Sequence, residues 1–206
     1  MPTVREFATA SANSGSCNTA GLRGLNNQIV ELLLPVVPGE LVSCEGIVRI
    51  VGASTLPFLQ PAAKAALERA SDEKGQKPKL VHAYRTVAQQ FVLRQWHLDE
   101  KCRITSARTP GSSDHEKGTA IDITDVDEWR TVLENHGWRW AGPGDRGHFS
   151  FTGGGTTSRV LTESVRAFQR LWNRHNPDDR ITEDGIFGDV ETGPRLLRSP
   201  VEGFQM

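Results

Sequence analysis

Hydrophobic and polar residues change period several times along the chain, and each change predicts an element. In residues 26–34, Ile29, Val30, Leu33 and Leu34 recur at three- and four-residue spacing, which predicts a short amphipathic helix ended by Pro35. Residues 42–51 have strand character. Residues 61–70 predict a second helix, opened by Pro61 in the first turn, where a missing backbone N–H leaves no helical bond unmade. Residues 79–84 alternate as a strand, and 87–96 continue as a helix. A loop over 102–118 follows, then a strand over 119–123, a helix over 126–136 stopped by Gly137, and two strands over 138–140 and 148–151.

Residues 1–25 are rich in Ser, Ala, Asn and Gly and read as an extended, loop-like segment. Helices and strands are mixed, and the late strands are joined by short turns. The expected fold class is therefore α+β, a small antiparallel sheet with flanking helices. Gly153, Gly154 and Gly155, followed by Thr156, Thr157 and Ser158, read as a linker. They divide a body of residues 1–152, whose first 75 residues form an N-terminal extension, from a small helical unit at 159–206. In that unit Val160, Val165, Phe168, Leu171 and Trp172 stand at helical spacing, and a last helix is expected over 191–197.

Composition narrows the function classes. The 24 Lys+Arg against 25 Asp+Glu leave a formal charge of −1, without the basic footprint that a nucleic-acid backbone requires. The most apolar stretch, residues 29–37, is broken by Glu31 and Pro35, so membrane insertion is not expected; a monomer is. The first residues have neither the basic nor the apolar region of a secretory signal. Cys17, Cys44 and Cys102 lack C-x-x-C spacing. They are expected as buried small residues, with one disulfide as the alternative in an oxidising compartment.

Two segments carry chemistry. In Thr119-Ala120-Ile121-Asp122-Ile123, alternation puts Asp122 on the face opposite Ile121 and Ile123, where a cation would stabilise it. His115 lies seven residues earlier, at the end of a polar loop. In His148-Phe149-Ser150-Phe151 the aromatic rings face a core while His148 and Ser150 face the other side. Two imidazoles and one carboxylate make a three-ligand Zn²⁺ site with a fourth position open to water, the catalytic arrangement, in which water is acidified toward ~7. Asp145, three positions before His148, is placed to act as general base. Arg85, at the end of the 79–84 strand, offers a planar fork for a substrate carboxylate or an oxyanion. Alternation puts His82 on the opposite face from Arg85, which excludes it from catalysis. Trp138 and Trp140 share one strand face as core or cleft wall.

Ser113 to Asp122 fits S-x-H-x-x-G-x-A-x-D, Asp145 to His148 fits acidic-x-x-His, and Tyr84-Arg85-Thr86 with Gln89 fits Y-R-S-x-x-Q with Thr for Ser. Over residues 79–151 the chain thus resembles the zinc D-alanyl-D-alanine carboxypeptidases of the VanY type and the related phage L-alanyl-D-glutamate endopeptidases. The resemblance implies a zinc peptidase acting on peptidoglycan stem peptides. His115, Asp122 and His148 would be its ligands, Asp145 its base and Arg85 its substrate-side cation. Ser113, Tyr84, Gln89 and Trp140 are the further residues expected on the substrate side. Asp145 stands where the VanY-type pattern usually has Glu, which leaves the bond cleaved open. Residues 159–206 are similar to part of the common peptidoglycan-binding helical module. The place of action is then the cell wall, reached by lysis-linked release or through a secretion apparatus. The rival reading is a non-catalytic wall-binding protein that keeps the zinc fold.

Overall fold

Thr3 and Glu6 close a capping box, Thr3 Oγ1 accepting from the Glu6 N–H at 3.3 Å and Glu6 Oε2 from the Thr3 N–H at 2.8 Å. They open α1 (Val4–Ser14) in a stretch expected to be a loop. Its apolar stripe is narrow, Val4 and Ala8 being its buried positions, and so left little periodicity to read. The structure is a computed structural model and describes residues 1–205. Helix α2 (Arg23–Leu33) runs into a 3₁₀ turn over Leu34–Val36 at the expected proline.

The strand expected over 42–51 is broken. Ser43 Oγ accepts the Glu45 N–H at 3.3 Å and turns the chain through Glu45–Ile47. This leaves β1 (Val42–Ser43) to pair with β3 (Phe58–Leu59), while β2 (Arg49–Ile50) joins the main sheet. Then come α3 (Pro61–Lys74), β4 (Lys79–His82), α4 (Val87–Leu98), the one-turn α5 (Asp114–Lys117) and β5 (Ala120–Ile123). The remaining elements are α6 (Val126–Asn135), β6 (Trp138–Trp140), β7 (His148–Phe151), α7 (Arg159–His175) and α8 (Thr192–Arg198).

The α+β expectation holds. The main sheet has the order β2-β4-β5-β7-β6, antiparallel except for the β2–β4 pair. Ile121, Ile123 and Phe149 point from it into a core with Leu67 of α3 and with Trp129 and Leu133 of α6. The opposite face, carrying the polar positions of the same strands, forms the floor of a cleft.

A second core gathers α1, α2, α4, α7 and α8 around Leu25, Ile29, Trp96, Phe168 and Trp172. The apolar stripe of residues 159–205, expected as a unit after the glycine run, is buried against the N-terminal extension. Each such side chain contributes about 2 kcal/mol when buried, so five on α7 bind it firmly. The linker is also held. Gln60 Nε2 donates to the Thr157 carbonyl at 2.7 Å and the Lys117 carbonyl at 2.8 Å, and Gln60 Oε1 accepts the Thr157 N–H. Cys17 and Cys102 form a disulfide that ties the segment after α1 to the loop after α4, and Cys44 is free and buried. No helix among the described residues is long and apolar enough to cross a membrane.

Candidate metal centre

Register places the site. His82 of β4 lies opposite Asp122 of β5, and Asp122 lies opposite His148 of β7, so one row across three strands brings the three side chains together, Asp122 and His148 lining the cleft and His82 behind Asp122. His115 arrives from α5. Ser113 caps that turn and Gly118 ends it at φ 75°, a left-handed conformation that suits glycine. A Cβ at Gly118 would also lie 2.6 Å from Leu41 Cδ2. The glycine in S-x-H-x-x-G-x-A-x-D is thus a backbone requirement, and it folds His115 back over Asp122.

Three atoms converge. His115 Nε2 is 3.2 Å from Asp122 Oδ1 and 3.1 Å from His148 Nδ1, and His148 Nδ1 is 3.0 Å from Asp122 Oδ1. Their other hydrogen bonds decide which protons they carry. His115 Nδ1 faces the Ala83 carbonyl at 2.7 Å, which can only accept, so Nδ1 holds the proton and Nε2 presents a lone pair. The Ser150 hydroxyl donates to Asp114 Oδ2 at 2.9 Å and therefore accepts from His148 Nε2 at 3.0 Å, which leaves His148 Nδ1 as a lone pair.

Two imidazole lone pairs and a carboxylate oxygen facing one another repel unless a cation lies among them. Ligand atoms bonded at 2.0–2.2 Å around one tetrahedral zinc stand about 3.3 Å apart, close to the separations seen. The residues fit a Zn²⁺ ion in both spacing and donor chemistry, and they are the group able to hold one metal among the described residues. His115 is buried, and burial, with the Arg85 charge, pushes its imidazole down to about 4, so it is neutral and ready to ligate. Burial works to raise the Asp122 carboxyl, but the charges facing it, with the Arg85 guanidinium against Oδ2, outweigh it and hold the group well below the usual carboxylate range.

Arg85 donates through Nη2 to Asp122 Oδ2. His82 Nδ1 is 3.2 Å from the same oxygen, and its Nε2 is 3.2 Å from Ser54 Oγ. One expectation is corrected here. His82 belongs to the site, because β4 ends at His82 and Tyr84 pairs with Leu56, so strand alternation does not continue to Arg85. Arg85 lines the cleft, and it also holds Asp122 Oδ2, which leaves Oδ1 toward His115 and His148.

Tyr84 and Gln89 are corrected too. Tyr84 is buried, its hydroxyl 2.6 Å from Ser164 Oγ of α7. Gln89 is buried in the capping box of α4 and donates to Ser54 O and Thr19 Oγ1. Both are framework. Ser113 and Trp140 line the cleft, and Trp138 is in the core. Asp145 lies on the rim in the turn before β7. Partial desolvation and the Asp122 charge raise its carboxyl against His148 and Arg85, which favours its taking up a proton. The spacing argument missed His82, Asp114 and Glu116. Of these, Glu116 is fully buried and accepts the Gly111 and Ser113 N–H groups, bracing the loop that presents His115.

The cleft encloses about 970 Å³. An α+β domain with two histidines and one carboxylate able to hold a metal at the floor of such a cleft has the donor set found in metallohydrolases. Residues 59–141 match the VanY family, D-alanyl-D-alanine carboxypeptidase. This supports a carboxypeptidase-like peptidase that acts on peptidoglycan. The matched stretch contains His82, Arg85, His115 and Asp122; Asp145 and His148 lie beyond it, and the fold brings His148 into place. No curated protein matches the chain.

Proposed function

We propose that this chain is a zinc peptidase that hydrolyses a peptide bond in peptidoglycan stem peptides, as a D,D-carboxypeptidase or endopeptidase or at the L-Ala–D-Glu bond. The observation that carries the reading is the convergence of His115 Nε2, Asp122 Oδ1 and His148 Nδ1 within 3.0–3.2 Å on an open cleft floor. A zinc ion held by these three would supply a Lewis acid and a water acidified toward ~7. Asp145 takes a proton from the attacking water and returns it to the leaving amine, so that one water and one amide become a carboxylate and an ammonium group. Arg85 and His82 hold Asp122 in its orientation, Ala83 and Ser150 hold the two imidazoles, and Trp140 walls the substrate.

The disulfide suits an oxidising compartment and hence work at the cell wall. Residues 159–206 would grip the polymer from a rigid mount on the enzyme's own core, raising local concentration.

Two variants and one digest test this reading. Asp145→Ala should slow turnover by about 10²–10⁴-fold while binding zinc as the wild type does, whereas His115→Ala should lose both. Mass spectrometry of muropeptides after digestion identifies the bond. An unchanged muropeptide profile with zinc-loaded protein would favour the non-catalytic wall binder.

A further inference from the structure

The chain as a whole carries a formal −1 charge, but the cleft does not share it. Five arginines line the cleft against three aspartates, an excess of two positive charges before any metal is counted. The aspartates are Asp114, Asp122 and Asp145. Arg85 is engaged with Asp122, and Arg146 with Asp127 outside the cleft. Arg108 stands 3.8 Å from Asp114 Oδ2 and keeps most of its side chain exposed. Among the described residues, the Arg103 and Arg139 side chains have no ion pair or hydrogen bond.

These cations are placed with some care. Arg139 of β6 is in register with Ser150 of β7, so it stands on the sheet face that carries His148 and Asp122. Arg103 and Arg108 stand on the wall formed by the loop after α4. That loop is pinned at Cys102 by the disulfide to Cys17, and Cys102 and Arg103 hold left-handed φ angles of 60° and 53°. A loop held so restricts where Arg103 can reach. Guanidinium groups with free forks on a concave surface attract carboxylates and bind them through paired hydrogen bonds.

We propose that Arg103, Arg108 and Arg139 form carboxylate-reading subsites beside the metal floor. The substrate class would then be stem peptides with free carboxylates away from the scissile bond. These are an unamidated D-glutamyl α-carboxyl and the side-chain carboxyl of a diamino diacid; peptides amidated there, or with lysine in place of the diacid, are disfavoured. The proposal rests on the peptidase reading above and assigns its specificity.

The test compares zinc-loaded full-length protein on two synthetic stem peptides that differ only in amidation of those carboxyls. The free-carboxylate peptide should show kcat/KM on the order of tenfold higher, through KM, and the ratio should shrink in ~0.5 M salt. Arg103→Gln and Arg139→Gln, both at exposed positions, should each move the ratio severalfold toward one. Equal kcat/KM on the two peptides, a preference for the amidated one, or a ratio unmoved by both variants overturns the proposal and leaves the peptidase reading standing. Cleavage of neither peptide by protein that holds zinc removes the peptidase reading, and this specificity with it.

Discussion

Reducing the Cys17–Cys102 disulfide, or replacing both cysteines by serine, removes a covalent link between residues 85 apart in sequence. Loop-closure entropy for a link of that length is about 4–5 kcal/mol of destabilisation of the unfolded chain, and native domains commonly realise about 2–5 kcal/mol on losing such a bond. Against a total stability of about 5–15 kcal/mol this is a large share. For a chain of this size each kcal/mol shifts the thermal midpoint by about 2–4 °C, so a loss of 3 kcal/mol lowers Tm by about 6–12 °C. The assay is thermal or urea unfolding of the zinc-free protein with and without reductant, alongside the double-serine variant. Cys44 is the internal control: denatured, unreduced protein should titrate one thiol, and reduced protein three. Coincident midpoints in the two redox states, or three thiols without reductant, refute the reasoning.

Acid should weaken the metal-free fold through His115. Its imidazole is pushed from an ordinary value near 6.5 down to about 4, so the unfolded chain takes up a proton that the folded one refuses, and stability is lost as pH falls through that window. The loss is about 3 kcal/mol. Burial pushes Glu116 up to about 8, against the N–H groups of Gly111, Ser113 and Ser112, and it titrates in the opposite sense over an overlapping range. The measurement is therefore the difference in urea midpoint between wild type and His115→Gln from pH 7 to pH 4, and a difference that does not change with pH contradicts it. Tyr84→Phe should lower stability by about 1–2 kcal/mol through the orphaned Ser164 hydroxyl while leaving KM for a stem peptide unchanged; a raised KM at unchanged stability would return Tyr84 to the substrate side.

Much of the site was legible in the residues because its spacing is local. Strand alternation set Asp122 and His148 on polar faces, and the short interval from Ser113 to Asp122 holds a capped turn and a strand start whose residue types can be read in a local window. The longer helices after residue 60 were readable for the same reason, since each carries its own apolar stripe, whereas the one-turn α5 fell inside the expected loop. Helix α1 was not, because its signal is two small buried positions and a cap, and its stability comes from packing on α4 and α8. The roles of Tyr84 and Gln89 were hidden likewise, since their partners Ser164 and Thr19 are far away in sequence.

What the sequence by itself determined is the inventory: which strands carry ligands, which turn needs glycine, and the α+β class, all set by periods of two or three to four residues and by backbone sterics. The tertiary structure alone decided pairings between distant segments. It matched His82 to Asp122, turned Arg85 onto Asp122, joined Cys17 to Cys102 and packed residues 159–205 onto the N-terminal helical core. The reason is physical. Register and helix packing depend on the burial of surfaces that no local window contains.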